Sequence, residues 1–123
     1  MIKLTFCLRR QPHLSREEFQ AYWRETHAPL VAERAEVLKI RRYVQVHTRG
    51  DLDGLHGAFQ RRNDDCPEPF DGVAELWFDS LDDMGGDDPA RRAAQAELLA
   101  DERNFIDLAN SPMWLSDEHP VVG

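Results

Sequence analysis

Residues 2–9, IKLTFCLR, alternate apolar and polar side chains, and this pattern decides the fold class of the chain. One side carries Ile2, Leu4, Phe6 and Leu8, and the other carries Lys3, Thr5, Cys7 and Arg9. A period of two residues predicts a β-strand that buries one face. The elements that follow are therefore expected to cover one side of a sheet.

A helix is predicted to begin after Ser15. Ser15 is a good N-cap residue, Glu18 completes a capping box, and Leu14 can pack against Phe19. The spacing of the next apolar residues is helical, and the predicted inward face is Phe19, Tyr22, Trp23 and Thr26.

A proline interrupts this helical pattern. Pro29 disfavours helical geometry at Ala28, whereas its own fixed φ suits the first turn of a new helix. We therefore expect one helix to end near His27 and a shorter helix to cover residues 29–37.

Two further segments return to a period of two residues. Residues 39–48, KIRRYVQVHT, predict a strand with Ile40, Val44 and Val46 opposite Arg41, Tyr43, Gln45 and His47. Residues 71–80, DGVAELWFDS, predict a strand with Ala74, Leu76 and Phe78 opposite Val73, Glu75 and Trp77. The apolar sides of these strands are expected to face the helices.

The remaining segments complete the set of elements. A helix over residues 89–103 should start at Pro89 and bury Ala93, Ala96, Leu99 and Ala100. MWLS, residues 113–116, predicts a weaker fourth strand. Residues 49–71 are rich in Gly, Pro and charge, and they predict a long, partly ordered loop in which only Leu52, Leu55 and Phe59 can anchor a helical turn.

The order of these elements predicts the fold. An α+β chain with strand, helix, strand, loop, strand, helix and strand fits a ferredoxin-like split βαβ arrangement, in which helices cover one face of a four-stranded antiparallel sheet. At 123 residues, the chain is expected to form a single domain, residues 1–123.

Composition narrows the range of partners. A net charge of −8, with no run of Lys or Arg, argues against a nucleic-acid partner. Short apolar runs and no basic, apolar leader predict no membrane association and a cytoplasmic location. Cys7 and Cys66 lie far apart without companion ligands, so two free thiols are expected, with neither a disulfide nor a zinc site.

The second face of the predicted sheet carries aromatic and polar side chains, namely Thr5, Cys7, Tyr43, Gln45, His47, Val73, Glu75 and Trp77. This set is too aromatic for free solvent and too polar for a dry core. Packing against the same face of a second subunit would cover it and would leave a polar-lined cavity for a small molecule. The alternative is a solvated face or a wet interface without a ligand.

Three motifs resemble the EthD family, named after ethyl tert-butyl ether degradation. They are F-x-x-Y-W-x-x-x-H-A-P-L-V at residues 19–31, RRYVQVH at 41–47 and DGVAELWF at 71–78. The resemblance implies a ferredoxin-like subunit that forms a dimeric α/β barrel. Relatives in the wider superfamily include lactone isomerases, polyketide cyclases, dehydratases, decarboxylases and cofactor-free monooxygenases, so the fold does not name the reaction.

His27 is the first candidate catalytic residue. It lies four residues after Trp23 and eight after Phe19, so it continues the inward face of the helix. A helix C-terminus favours the protonated imidazole and burial disfavours it, which suits a general acid or base near neutral pH. The alternative is a histidine that caps the last helical carbonyls beside Trp23.

Tyr43, His47 and Glu75 form a second candidate group if their strands are neighbours. Tyr43 and His47 would donate hydrogen bonds to a carbonyl or phenolate oxygen, and Glu75 would act as a base or orient an imidazole. Each alone is also explained as an interface polar residue. His27, His47 and Glu75 lack metal-ligand spacing, so no metal and no cofactor is expected.

The residues expected to line the pocket are Thr5, Cys7, Trp23, Gln45, Trp77 and Trp114. The charged segments at residues 82–88 and 101–103 are interpreted as solvated faces.

Two functional hypotheses remain open from sequence. One is a cofactor-independent enzyme that uses acid/base proton transfer on a hydrophobic carbonyl, lactone or polyketide-like substrate, as an isomerase, cyclase or dehydratase (lyase). The other is a non-catalytic homodimer that binds a hydrophobic small molecule as an accessory protein of a catabolic pathway. Both need a cavity, but only the enzyme needs His27 to titrate in it.

Overall fold

The sheet of the protein has four antiparallel strands, as seen in a computed structural model that describes residues 1–123. The strands are β1 (Ile2–Leu8), β2 (Arg42–His47), β3 (Gly72–Phe78) and β4 (Met113–Ser116). Their order across the sheet is β2-β3-β1-β4, so β1 and β3 are central. This order confirms the predicted ferredoxin-like α+β fold.

One helical stretch of the chain changes from α-helix to π-helix and back to α-helix. They are α1 (Arg16–Tyr22), a π-helical segment (Trp23–His27), α2 (Ala28–Arg34), α3 (Asp53–Arg62) and α4 (Pro89–Glu102). Short 3₁₀ turns cover Leu81–Asp83 and Leu108–Asn110. No helix combines the length and apolar composition that crossing a bilayer requires.

The predicted start of α1 is confirmed. The Ser15 hydroxyl accepts a hydrogen bond from the Glu18 backbone N–H, and the Glu18 carboxylate accepts one from the Ser15 N–H, both at 3.0 Å. This reciprocal capping box fixes the first turn of the helix.

The predicted break at Ala28 is wrong, because the helix runs through it. Ala28 has α-helical dihedrals, φ −55° and ψ −44°, and its N–H donates to the carbonyl of Trp23, five residues back. In a regular α-helix the ring of Pro29 would clash with the Glu25 carbonyl, and the wider π turn relieves that clash. The extra residue in the turn leaves Thr26 exposed and buries His27 instead.

The face assignment of β2 is also wrong. Partners in an antiparallel ladder point to the same side, and Tyr43 pairs with Leu76, which in turn pairs with Leu4 of the helix-covered face. Tyr43, Gln45 and His47 therefore face the helices, and Val44 and Val46 face away. A bend at Arg41 separates Ile40 from the strand, which begins at Arg42, so the alternation that includes Ile40 does not continue into the strand.

The inward face of α4 differs from the predicted one. Arg91 and Ala94 are buried, whereas Ala93, Ala96 and Ala100 are exposed and Leu99 is 43% exposed. Because alanines occur all around this helix, the spacing of its apolar residues does not show which face is buried. In the structure the face that packs toward the sheet carries Arg91, Ala94 and Leu98.

The segment at residues 49–71 is more ordered than predicted, because it contains α3. None of the residues of α3 is buried, and Leu55 and Phe59 are 48% and 53% exposed. These two side chains therefore do not anchor the segment to the core.

Candidate active site

A cavity of about 290 Å³ lies between the sheet and the helices of one chain. Sixteen of the twenty residues around it are apolar, and the four polar ones are His27, Arg91, Gln95 and Glu102. An apolar cavity with a few convergent polar groups is typical of a small-molecule site. The cavity lies on the opposite side of the sheet from the predicted one, so its walls come from a single subunit.

His27 lies on the inward face of its helix, together with two aromatic residues that precede it at intervals of four residues. Phe19, Trp23 and His27 are 0%, 1% and 5% exposed, and the π turn between Trp23 and His27 keeps both on the inward side. The rings of Phe19 and Trp23 pack at a centroid distance of 5.7 Å, and both belong to the core that includes Phe6, Leu8 and Phe105. The helix that carries His27 is thus held by aromatic packing.

Trp23 in turn needs a glycine beneath it. A Cβ atom at Gly72 would lie 2.4 Å from the Trp23 ring and 2.9 Å from the Val46 carbonyl oxygen. Gly72 pairs with Leu8 and His47 in the sheet, so this close approach lies at the end of three strands. Only glycine allows the indole to lie this close to the backbone.

The imidazole of His27 is fixed by a carboxylate. Its Nδ1 lies 2.7 Å from Oδ2 of Asp101, at the end of α4, and Nε2 forms no hydrogen bond within the chain. Burial lowers the pKa of His27 below its ordinary value, and the Asp101 carboxylate opposes that shift only in part. Because an ionised carboxylate can only accept, we assign the proton to Nδ1 of a neutral ring, which leaves the Nε2 lone pair for a bound molecule.

Asp101 is itself held by several donors. The Tyr22 hydroxyl donates to Oδ1 at 2.6 Å, and the Asn104 amide lies 3.4 Å from the same atom. Burial raises the pKa of Asp101, but the hydrogen bonds from Tyr22 and His27 outweigh it, so the pKa lies below its ordinary value. The carboxylate stays ionised and orients the imidazole, as expected of a group that supports an acid or base.

The structure does not support the capping interpretation of His27. Its side chain forms no hydrogen bond to a helical carbonyl, and its one partner in the chain is Asp101.

Glu102 is a second titratable group in the cavity. Burial, together with repulsion from Asp101, raises the pKa of Glu102 to about 7. A carboxyl group with this pKa is partly protonated near neutral pH and can serve as an acid or a base.

Tyr43 supplies a donor to the same cavity. Its hydroxyl accepts a hydrogen bond from the Gln45 amide at 2.8 Å, which leaves its own proton available. Burial raises the pKa of Tyr43, and the charge of Glu102 adds to the shift, so the phenol stays protonated.

The predicted group of Tyr43, His47 and Glu75 does not assemble. Glu75 points to the outer face of the sheet, where it forms an ion pair with Lys3, whereas Tyr43 and His47 face the helices. His47 stacks on Trp23 at a centroid distance of 4.4 Å, and its Nε2 lies 2.8 Å from the Gln45 side-chain oxygen. His47 therefore supports Trp23 and does not line the cavity. No group of three His, Cys, Asp or Glu side chains is arranged to hold a metal ion.

Of the predicted pocket-lining residues, Trp23 alone lines the cavity. Gln45 lies behind the wall, where its amide also donates to the Trp23 carbonyl at 3.0 Å. The other four, Thr5, Cys7, Trp77 and Trp114, lie on the outer face. There the Trp77 indole donates to Glu118 of the C-terminal tail, and burial raises the pKa of the Cys7 thiol.

Sequence reasoning missed Asp101, Glu102 and Arg91. The interpretation of residues 101–103 as a solvated face is wrong for the first two, because Asp101 bonds His27 and Glu102 lines the cavity. A helical stripe through residues 91, 95, 98 and 102 would have found two of the three, since its spacing is four, three and four residues. The alanines elsewhere on α4 concealed that stripe.

Comparison with known proteins agrees with the motifs in the sequence. The model of the EthD domain matches residues 11–109. No protein with a curated function matches the chain.

Three similar solved structures share the fold over nearly the whole chain. An EthD family protein from Bacillus halodurans is 16% identical, with a TM-score of 0.59 over 97% of this chain and 100% of its own. An EthD-like protein from Ralstonia eutropha is 18% identical, with a TM-score of 0.59 over 94% and 89%. A Bacteroides fragilis protein, described as dimeric with a ferredoxin-like fold and unknown function, is 15% identical, with a TM-score of 0.56 over 95% of each chain.

Proposed function

The chain belongs to the EthD family, and from that premise and its cavity we propose that it is a cofactor-independent enzyme that transfers protons on a hydrophobic carbonyl, lactone or polyketide-like molecule. The observation that carries the proposal is the 2.7 Å contact between Nδ1 of His27 and Oδ2 of Asp101 in an apolar cavity. The reaction would be an isomerisation, cyclisation or dehydration, since each depends on moving a proton next to a carbonyl group.

The roles follow from the protonation states. Nε2 of His27 takes a proton from the carbon beside the carbonyl group, and the electron pair moves onto the carbonyl oxygen. Asp101 stabilises the imidazolium that forms, and the Tyr43 hydroxyl donates a hydrogen bond to the developing oxyanion. His27 then returns the proton at another position, or protonated Glu102 supplies one to a departing hydroxyl.

The runner-up is a non-catalytic accessory protein that binds a hydrophobic small molecule in the same cavity. It explains the apolar walls equally well. It gives no reason for Asp101 to hold His27 as a neutral ring with a free Nε2, and for that reason we favour the enzyme.

We extend the proposal to a homodimer that forms through the outer face of the sheet. This face carries Val44 and Val73 with the exposed side chains of Val46 (44%) and Trp114 (48%). Apolar surface of this kind is typical of an interface, and the similar protein from Bacteroides fragilis is described as dimeric. A cytoplasmic location remains part of the proposal and fits the two free thiols, Cys7 and Cys66.

Deuterium exchange tests the enzyme hypothesis without knowledge of the natural substrate. The probe is 2-tetralone in D₂O, a hydrophobic ketone with exchangeable protons beside its carbonyl group, followed by proton NMR. We expect the wild-type protein to accelerate exchange above the buffer rate and His27→Gln to lose roughly 100-fold of that acceleration. Wild-type exchange at the buffer rate, or equal exchange by His27→Gln, would favour the binding protein.

A further inference from the structure

Arg91 is a buried cation without a counter-ion. The residue is 5% exposed, and it forms no ion pair with any carboxylate of the chain. Its Nη1 donates to the Leu38 carbonyl at 3.1 Å, and its buried Nε has no partner. Buried charges in proteins are normally paired, so an unpaired guanidinium calls for an explanation.

Elsewhere this chain does pair its buried charge. Asp71, which is 2% exposed, accepts hydrogen bonds from Arg10 at 2.5 Å and from Arg16 at 3.0 Å. Burial raises the pKa of Asp71, but the donors from Arg10 and Arg16 outweigh it and lower the pKa. The unpaired state of Arg91 is thus not a general property of the fold.

Arg91 and His27 both line the cavity, and Arg91 lies ten residues before Asp101, the hydrogen-bond partner of His27, on α4. Arg91 and Glu102 lie eleven residues apart on α4, or about 16 Å along the helix axis at 1.5 Å per residue. Contacts with the sheet place Arg91 near the end of β3. Arg91 donates to the carbonyl of Leu38, and the same segment continues to Arg41. The N–H of Arg41 donates to the carbonyl of Trp77, which precedes Phe78, the last residue of β3. Trp23, in contrast, packs over Gly72 at the start of β3.

We propose that the cavity binds an elongated apolar molecule whose carboxylate pairs with Arg91 and whose reactive group lies at His27. The planar guanidinium matches a carboxylate in geometry as well as in charge, and the apolar walls match the body of the molecule. The position of the reactive group rests on the proposed function, whereas the carboxylate site does not. Gln95, one turn after Arg91 on the cavity wall, adds an amide to that end.

A purely structural role for Arg91 makes a different prediction. In that role, the guanidinium only fastens α4 to the segment after α2 through the Leu38 carbonyl. This contact uses one of five N–H donors and leaves the positive charge uncompensated. Removal of the charge would then weaken the fold and would not change the preference for anionic ligands.

Calorimetric titration of octanoate and octan-1-ol separates the two roles, because these probes share an eight-carbon chain and differ in charge. We expect the wild-type protein to bind octanoate at least roughly tenfold more tightly than octan-1-ol at pH 7.5. Arg91→Met should abolish this preference and leave the octan-1-ol affinity unchanged. Arg91→Lys keeps the charge without the planar fork, so it should weaken octanoate binding by roughly threefold to tenfold.

Further controls keep the inference distinct from the proposed enzyme. His27→Gln should retain the preference for octanoate, since the proposed carboxylate site does not include His27. Equal affinities for the two probes, no binding of either, or a preserved preference in Arg91→Met would overturn the carboxylate site. If Arg91→Met does not fold, the wild-type comparison and Arg91→Lys still decide. Catalysis by His27 is tested separately, in the exchange assay with 2-tetralone.

Discussion

Nδ1 of His27 and Oδ2 of Asp101 lie 2.7 Å apart, although the two residues are 74 positions apart in the sequence. The hydrogen bond joins the π-helical segment after α1 to the last turn of α4. It fixes the tautomer of the imidazole and directs Nε2 away from the carboxylate. The contact between His27 and Asp101 therefore depends on the packing of two helices against the sheet.

Asp101→Asn should reduce 2-tetralone exchange by a factor on the order of 10² or more. The amide removes the negative charge that stabilises imidazolium and can present an N–H where Nδ1 needs an acceptor. Loss of the Asp101 charge should also lower the pKa of His27 further, because that carboxylate now opposes the effect of burial. Histidine chemical shifts, followed against pH by NMR, measure this change directly.

The matched control for this substitution is Glu97→Gln on the same helix. Glu97 is exposed and pairs with Arg34, so its loss removes one negative charge from α4 without contact with His27. Its exchange rate and the pKa of His27 should stay near the wild-type values. If Glu97→Gln and Asp101→Asn behave alike, net charge rather than the hydrogen bond is responsible.

The pH dependence of 2-tetralone exchange should show an acid limb. The acid limb arises as His27 becomes protonated, and it should lie below pH 6.5 because burial lowers the pKa of this residue. Glu102 donates to a departing hydroxyl in the proposed mechanism and 2-tetralone has none, so the ionisation of Glu102 near pH 7 should produce no basic limb in this assay. Glu102→Gln should then keep the wild-type exchange profile, whereas a basic limb near pH 7 that disappears in this variant would mean that Glu102 also acts as an acid in the exchange step.

Gly72→Ala should destabilise the protein by about 2 kcal/mol or more, because the new methyl group meets the Trp23 ring and the Val46 carbonyl. Urea denaturation measures the loss of free energy of unfolding. Gly54→Ala is the control: no atom lies within 4 Å of its added Cβ, and the residue is in α3, so it should stabilise by up to about 1 kcal/mol. Equal effects of the two substitutions would mean that Trp23 can move away from Gly72.

The sequence predicted the fold better than it predicted the site. Alternation in β1 and β3, the Ser15 capping box and the position of Pro89 are local features, and each has the predicted structure. The inward faces of β2 and α4 depend on how these elements pack against the rest of the chain, and their sequence patterns do not show clearly which side is buried. A bend separates Ile40 from its strand, and alanines surround Arg91 and Leu98. Because Tyr43 and Glu102 lie on those two elements, errors in their phase moved the predicted cavity to the wrong side of the sheet.

The proposed dimer predicts a specific effect at the outer face. Val46→Lys places a charge on the proposed interface and should convert a dimer into a monomer at micromolar concentration, as measured by light scattering after size-exclusion chromatography. Leu81→Lys is the matched control, since Leu81 is 59% exposed and lies outside the strands of the sheet. A wild-type monomer, or a dimer that survives Val46→Lys, would contradict this interface.

Glu102→Gln should make the protein more stable at pH 8 than the wild type, by on the order of 1–3 kcal/mol. The native pKa of Glu102, about 7, lies above its ordinary value of 4.5, so the native state binds more protons than the unfolded state between these two values. The wild-type free energy of unfolding therefore loses the contribution of Glu102 as the pH rises through this window. Glutamine does not titrate, so the free energy of unfolding of the variant does not decrease for this reason as the pH rises.

His27 acts with the opposite sign but cancels in the comparison. Its native pKa is lowered, so its contribution is present above pH 6.5 and is lost as the pH falls below that value, in wild type and variant alike. The difference between the two proteins should thus grow from pH 5 to pH 8 in urea denaturation. Glu36→Gln, at an exposed position, is the matched control for the loss of one carboxylate. A constant difference for Glu102→Gln would mean that Glu102 ionises near its ordinary pKa and is not a group that changes protonation near neutral pH.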